Sequence, residues 1–516
     1  MSLQLILGSS GVGKSYYSFT KIIEESRKNP EKNYLVIVPE QFTMQTQKEL
    51  VSLHPDQGIM NIDVLSFQRL AYRVFEEVGG GTNPVLEETG KTLVLQRVAQ
   101  EQQKKLKVLG TNLKRTGAVA QMKSLVSELM QYQVNPESLE QWAREAEGKQ
   151  MLSCKLQDIS TIYDGFLKFM EGRYIAGEEV LDVLCQRIGQ SELVKGSTVL
   201  LDGFTGFTPV QNQVVGELLR LSERVYVTAA IDEKEDPFHY DGPHRLFSMT
   251  KKMIGKLVQT CQESKVDIED PVRLKFHKNS RFAHAPALGA LEANLFRYRN
   301  YSYPSQQEEI VIRAAEDPQS ELEAAAITIH RLVREQGYRY KDFAVVTGDL
   351  TTYGHYAEQV FGKLQIPCFV DEKHSVLMNP LVEFMRSAVD LAVQNFSYES
   401  VFRYLRCGMS SLTMEEVDEL ENYCIALGIR GKKKYEEKWV RVYRGMNKAK
   451  LEEINTLRER FLDEVSEFIQ GFKEKNLTVE KRTRVLYQFI CANNIQEKLK
   501  IRELEFKAAG NTAMER

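Results

Sequence analysis

Long apolar runs are missing from this chain: no stretch of about 18 consecutive apolar residues occurs, so no membrane-spanning helix is expected. The opening MSLQLILGSSGVGKS has no basic segment leading an apolar one to a cleavage site, so it does not read as a secretory leader, and the chain is taken as cytoplasmic with no membrane partner. Paired cysteines are missing too. The seven cysteines are scattered, odd in number and without a C-x-x-C pair, so the expectation is reduced, mostly buried thiols and no metal site built from cysteine. Charge of one sign is also lacking: 68 Lys plus Arg stand against 71 Asp plus Glu. That balance excludes a uniformly basic coat and confines any nucleic-acid footprint to a local surface. What is present is a folded composition, 42% hydrophobic with 24 Phe and 22 Tyr. Its 516 residues suit roughly three or four domains rather than one core.

The strongest signal lies at the N-terminus. LQLIL, residues 3 to 7, has the character of a buried parallel strand. GSSGVGKS follows and matches G-x-x-x-x-G-K-[ST], and YYSFTKIIEE continues with helical spacing at Tyr17, Ile22 and Ile23. Strand, glycine loop and helix start are the parts of a phosphate cradle, in which backbone N–H groups and the helix dipole face the anion. Gly8, Ser9, Ser10, Gly11, Val12, Gly13, Lys14 and Ser15 are therefore the candidate nucleotide-binding residues, with Lys14 reaching the β and γ phosphates of ATP and Ser15 ligating Mg²⁺. A glycine-rich strand-to-helix turn with a capping serine is the alternative reading.

YLVIV, Tyr34 to Val38, and the run Ile62 to Leu65 are two further strand candidates, each followed by a helical pattern, so a doubly wound sheet is expected with ligands at the strand C-terminal ends. Gln41, Phe42 and Thr43 follow one strand, and Ser66, Phe67, Gln68 and Arg69 the other. Short polar groups bond phosphates and an aromatic ring stacks on a base, so these seven residues are candidate DNA contacts. Packing of both rings on the sheet, with Gln41, Ser66 and Arg69 as caps and surface residues, is the competing account.

GSSGVGKS, VPEQFTMQTQ and VLSFQRLA resemble motifs I, Ia and Ib of superfamily 1 DNA helicases, in that order. Together with LLDGFTGFTPVQ they resemble the B subunit of the AddAB-type, or RexB-type, ATP-dependent helicase/deoxyribonuclease, over essentially the whole chain. The resemblance implies an α/β fold of P-loop NTPase-like (RecA-like) parallel-sheet domains with large helical insertions. It implies ATP and Mg²⁺ as ligands, an A-type helicase/nuclease subunit as partner in a heterodimer, and single- and double-stranded DNA ends as substrates. An iron–sulfur cluster and a nuclease domain are implied only for a C-terminal half that this chain does not reach. Residues 1–84 plus 196–300 would form the first RecA-like domain, 85–195 a helical subdomain inserted in it, 301–377 the start of a second RecA-like domain, and 378–516 a mostly helical insertion, truncated at its end.

The helicase pattern is incomplete. The strand ending at Asp202 sits where a carboxylate would hold Mg²⁺ beside Ser15, but the glutamate expected next, which would activate water, is Gly203, which has no side chain. No catalytic residue is assigned. Gln211 matches a motif glutamine or is a helix-surface residue, and Phe204 and Phe207 either face DNA or belong to the core. Thr228 and Ala229 stand where the pattern would have Gly-Asp.

Later, EEIVIRAA and FAVVTGD read as strands flanking a helix, so a βαβ pattern resumes near residue 308. Two basic stretches stand out: Lys104, Lys105, Lys107, Lys114 and Arg115; and Arg430, Lys432, Lys433, Lys434, Lys438, Arg441, Arg444, Lys448 and Lys450. The second is interleaved with Tyr435, Trp439 and Tyr443, a composition shared by nucleic-acid surfaces and by exposed linkers. The function expected is a DNA-holding, ATP-binding subunit with a degraded motor that processes double-strand breaks for recombinational repair and scans the 3′-ended strand, with hotspot recognition implied by the family. An active helicase, a P-loop small-molecule kinase and a non-enzymatic scaffold are the alternatives.

Overall fold

The computed structural model describes residues 1–79, 84–110, 113, 115–146, 148–277, 280–297, 300–371, 376–443 and 445–510. Lys114 and Arg444, both singled out for their charge, lie outside that set. The chain divides into two units, Met1–Ile312 and Arg313–Arg516.

In the first unit β1 (Ser2–Gly8), α1 (Lys14–Lys28), β2 (Tyr34–Ile37), α2 (Thr43–Leu53), β3 (Ile62–Leu65) and α3 (Phe67–Val78) alternate, as the apolar spacing predicts. An insertion follows: β4 (Val85–Leu86), α4 (Glu88–Glu101), α5 (Thr116–Gln131), α6 (Pro136–Glu145), α7 (Gln150–Met170) and β5 (Ile175–Ala176). Then come α8 (Val180–Arg187), β6 (Thr198–Leu201), α9 (Pro209–Leu221), β7 (Arg224–Ala230), α10 (Ser248–Ser264), β8 (Asp267–Ile268), β9 (Val272–Arg273) and α11 (Pro286–Asn294).

The main sheet is parallel, in the order β3-β2-β6-β7-β1, with β8 and β9 both on the outer edge of β1. Pro271, which has no N–H to donate, falls between those two short strands. Leu201 lies opposite Val227 and Gly8 opposite Ala230. The ends of β1, β2, β3, β6 and β7 therefore share one edge, where ligands of such sheets collect. Both faces are covered: Phe19, Ile22 and Leu50 pack on one, and Leu70, Val74, Leu184, Val214 and Leu257 on the other. Each such fully buried aliphatic or phenyl side chain contributes about 1.5–3 kcal/mol relative to exposure.

The insertion has its own core, including Val98, Val126, Ile162 and Phe166, and the parallel pairing of β4 with β5 ties its entry to its exit. It ends sooner than the helical pattern indicates. Val180, Leu184, Ile188 and Val194 belong to the core of the main sheet, because their apolar face packs with α3 and α9 rather than with the inserted helices. Asp158, 1% exposed, accepts backbone N–H bonds from Lys107, Val108 and Leu109 at 2.7–2.8 Å, and so fixes the loop that carries part of the first basic stretch.

The second unit contains α12 (Pro318–Gln336), α13 (Leu350–Lys363), α14 (Pro380–Val393), α15 (Tyr398–Arg406), α16 (Met414–Leu427), α17 (Lys432–Glu436), α18 (Lys448–Lys473), α19 (Val479–Ala492) and α20 (Ile495–Ala508). The strands expected in EEIVIRAA and FAVVTGD do not form: among the described residues no ladder pairs them, and Ile312 and Val346 are 93% and 90% exposed. A strand exists only with a hydrogen-bonded neighbour, and apolar alternation reports the tendency to pair, not the presence of a mate. The helices α12 and α13 do form and share a small core around Leu322, Ala326, Val360 and Phe361. Beyond residue 378 the described chain is helical, and its helices share a core around Phe384, Tyr404, Phe461 and Phe489.

Candidate nucleotide and nucleic-acid site

The chain leaves β1 at Gly8 and enters α1 at Lys14, with Gly13 as a left-handed N-cap. Gly11 has φ 76°, and a Cβ there would meet the Phe282 ring at 2.9 Å and the Arg281 Cβ at 3.0 Å. Only glycine fits that position, because the turn Arg281–His284 closes on the loop and the Arg281 N–H donates to the Gly11 carbonyl at 2.9 Å.

Lys14 folds back over the loop and donates from Nζ to the carbonyls of Gly8, 3.0 Å, and Ser9, 2.9 Å. Burial pushes its pKa below the ordinary lysine value; Asp202 and Glu292 pull the other way, and the nearby Arg281 guanidinium adds to the lowering. A polyphosphate would supply the negative charge this ammonium lacks. The adjoining cavity, about 1110 Å³, is lined by Gly11, Gly13, Lys14, Ser15, His277 and Arg281 among others, and is slightly larger than the roughly 300–1,000 Å³ usual for small-ligand clefts.

Asp202 is 7% exposed and accepts the Thr228 hydroxyl on Oδ1 at 2.5 Å. Register explains the contact, since Asp202 and Thr228 each follow the facing pair Leu201 and Val227. The carboxylate and the Ser15 hydroxyl are hard oxygen donors suited to a hydrated Mg²⁺. Gly203 has φ 80°, a conformation in which a glutamate would be strained, so the backbone as well as the side chain departs from what a general base needs. Behind the loop, Asp232 holds Arg297 through two bonds of 3.0 and 2.8 Å and reaches the Ser9 hydroxyl at 3.5 Å. Arg281, Asp232 and Arg297 carried no motif; chain reversals after β7 and β9 bring them to the loop.

The seven candidate DNA residues meet different fates. Gln41, Phe42 and Gln68 are exposed, Phe42 by 43%. Arg69 is exposed and pairs with Glu40 at 3.1 Å. Thr43 is buried, its hydroxyl bound to the Glu40 carbonyl, and Ser66 is buried as the N-cap of α3, accepting from the Arg69 N–H. Phe67 is 5% exposed and packs against Phe204 and Phe207 with ring centroids at 5.4 and 6.0 Å, so this ring is a core element and not an open stacking platform. Gln211 closes a capping box with Thr208 at the start of α9. Pro39, Gln68, Phe204 and Gln211 still border a cavity of about 580 Å³ shared with Lys91, a buried ammonium held by Glu178 at 2.6 Å and Glu88 at 3.1 Å.

A parallel sheet wound with helices, a glycine loop entering α1 and an acidic strand end two strands away define a P-loop nucleotide-binding fold of helicase-like type. Residues 5–292 match the family described as ADDB, N-terminal. The chain belongs to that family. Curated relatives carry the name of the B subunit of an ATP-dependent helicase/deoxyribonuclease: that of Lachnoclostridium phytofermentans is 44% identical over 99% of this chain and 45% of its own length. Those of Acetivibrio thermocellus and Clostridium tetani are 34% and 35% identical over 99% and 97% of the chain, and 45% and 44% of their own lengths. The chain spans a little under half the length of these relatives. No described helix is long and apolar enough to cross a membrane.

Proposed function

We propose that this chain is the nucleotide-binding, DNA-holding part of the B subunit of a cytoplasmic ATP-dependent helicase/deoxyribonuclease, and that it holds ATP without using it as fuel. The observation that carries the second half is the pair Asp202 and Gly203: a buried carboxylate that accepts the Thr228 hydroxyl, followed by a left-handed glycine where water activation would need a base. Gly8 to Ser15 bind the phosphates, Lys14 neutralises them, and Ser15 and Asp202 bear on Mg²⁺. Arg281 adds a second cation at the same cavity. The relatives' name supports a partner subunit and a DNA substrate; the partner is an A-type helicase/nuclease subunit, and the complex processes double-strand breaks for recombinational repair.

In this reading the 3′-ended single strand passes the segments that follow β2 and β3, where the exposed Gln41, Phe42, Gln68 and Arg69 are available, and scanning for a hotspot sequence belongs to the same surface. Thr43, Ser66 and Phe67 shape that surface from beneath. Replacing Gln68 and Arg69 together by alanine is expected to weaken single-stranded DNA binding at least roughly 10-fold in an anisotropy titration, from loss of one charge-assisted contact worth about 1.5–3 kcal/mol and one neutral contact worth about 0.5–1.5, less what Arg69 gives up in leaving Glu40. Unchanged affinity removes these residues from the DNA path.

A further inference from the structure

The second basic stretch resolves into two kinds of residue. Two of its three aromatics are interior: Tyr435 is fully buried, and Trp439, 5% exposed, stacks on Tyr423 at 4.7 Å and 15°, while Tyr443 is partly buried with its ring 6.3 Å from that of Tyr423. The backbone around Trp439 is pinned. Its N–H donates to Asn455 Oδ1 and its carbonyl accepts from Asn455 Nδ2, both at 2.9 Å, while the indole N–H donates to the Lys434 carbonyl at 2.7 Å. Tyr423 Oη donates to the Arg441 carbonyl at 2.7 Å, and Arg458 donates to that of Tyr435 at 2.6 Å. The segment following α17 has no regular structure among its described residues, and side-chain bonds hold its backbone at Trp439 and Arg441.

Most of its described cations face out. Lys432, Lys438 and Lys450 have carboxylate partners in Glu436, Glu452 and Glu419. Arg430, Lys433, Lys434, Arg441 and Lys448 are exposed, and none of them meets a carboxylate among the described residues; Lys434 touches only the Gly428 carbonyl at 3.3 Å. Val440, next to the buried Trp439, is 77% exposed, so this face of the segment is open. The end of α16, all of α17 and the start of α18 converge on the Tyr423, Tyr435 and Trp439 rings, which gathers these five cations at one end of the helical domain, with Glu437 the remaining acid of the segment.

We propose that this surface binds the phosphate backbone of duplex DNA. Unpaired cations on a backbone already held by Asn455, Tyr423 and Arg458 suit a polyanion, because the segment itself need not be ordered on binding. Tyr435 and Trp439 are interior and Tyr443 is partly buried against Tyr423, so no fully open ring is left to stack on unpaired bases and charge is the main handle; duplex presents the denser line of phosphates, one charge per roughly 1.7 Å of axis. The proposal rests on the reading that this protein handles DNA but not on the residues after β2 and β3.

The test is an anisotropy titration of the whole chain with a short duplex and with the matching single strand over a range of salt, for the parent and for Lys433→Glu/Arg441→Glu/Lys448→Glu. The duplex affinity of the variant should fall at least about tenfold at low salt, and its log–log salt slope should drop by roughly 2 to 3, since each phosphate contact contributes about 0.9. Single-strand affinity should stay within about twofold, and Lys433→Arg/Lys448→Arg should match the parent, as a purely electrostatic contact predicts. If the parent binds duplex and the triple variant binds it equally well with the same slope, this surface is not the contact, although the protein still handles DNA. If the parent binds neither nucleic acid at low salt, the DNA reading itself falls, and this proposal with it.

Discussion

Replacing Lys14 by alanine is expected to weaken ATP binding roughly 10- to 150-fold, the loss of one charge-assisted contact worth about 1.5–3 kcal/mol. The reason is local. Lys14 is the half-buried ammonium at the cavity, its charge disfavoured by burial and opposed by Arg281, so a phosphate is a stronger partner for it than the loop carbonyls it now touches. The main sheet should be unharmed, because its core is made by Leu3, Leu5, Leu7, Val199, Leu201 and Val227 and not by the loop. Calorimetric titration with ATP, beside a thermal melt that shifts by no more than about 2–4 °C, separates the two effects. Equal affinity in the variant would mean that the nucleotide binds elsewhere or not at all.

Trp439→Ala is expected to destabilise the second unit by about 3–5 kcal/mol, the range for removing a buried aromatic side chain. The indole fills the space between Tyr423 and Tyr435, Arg458 lies over its face at 5.9 Å, and its loss strands the Lys434 carbonyl as well as leaving a cavity. Urea unfolding of the chain should show the second-unit transition move to lower denaturant while the sheet unit keeps its midpoint. A variant with unchanged stability but weakened DNA affinity would show that the ring is a surface contact.

The sheet and its loop were legible because they are made of contiguous signals: an apolar run, a spaced glycine motif and a helical period, each within a few residues. Asp202 was legible for the same reason, as the end of TVLL. Its partner Thr228 was not, because that hydrogen bond depends on which strand lies beside β6, and strand order leaves no local trace. Arg281 stands on a turn some 270 positions from the loop that it closes, so it carried no pattern. Phe67 and Trp439 show the converse difficulty. An aromatic next to polar or basic residues has the same composition whether it faces solvent or the interior, and only the packing of Phe204 and Phe207 on one and of Tyr423 and Asn455 on the other decides. The segments around Ile312 and Val346 alternate as strands do, yet pairing depends on a neighbour that alternation cannot supply.

The most direct test of nucleotide held without hydrolysis is ATP turnover by this chain, with and without single-stranded DNA, beside the Lys14→Ala variant. Measurable ATP binding with no phosphate release above that of the variant, in either condition, is the predicted result. DNA-stimulated release that disappears in Lys14→Ala would contradict it, because some other group would then be activating water in place of the side chain that Gly203 lacks.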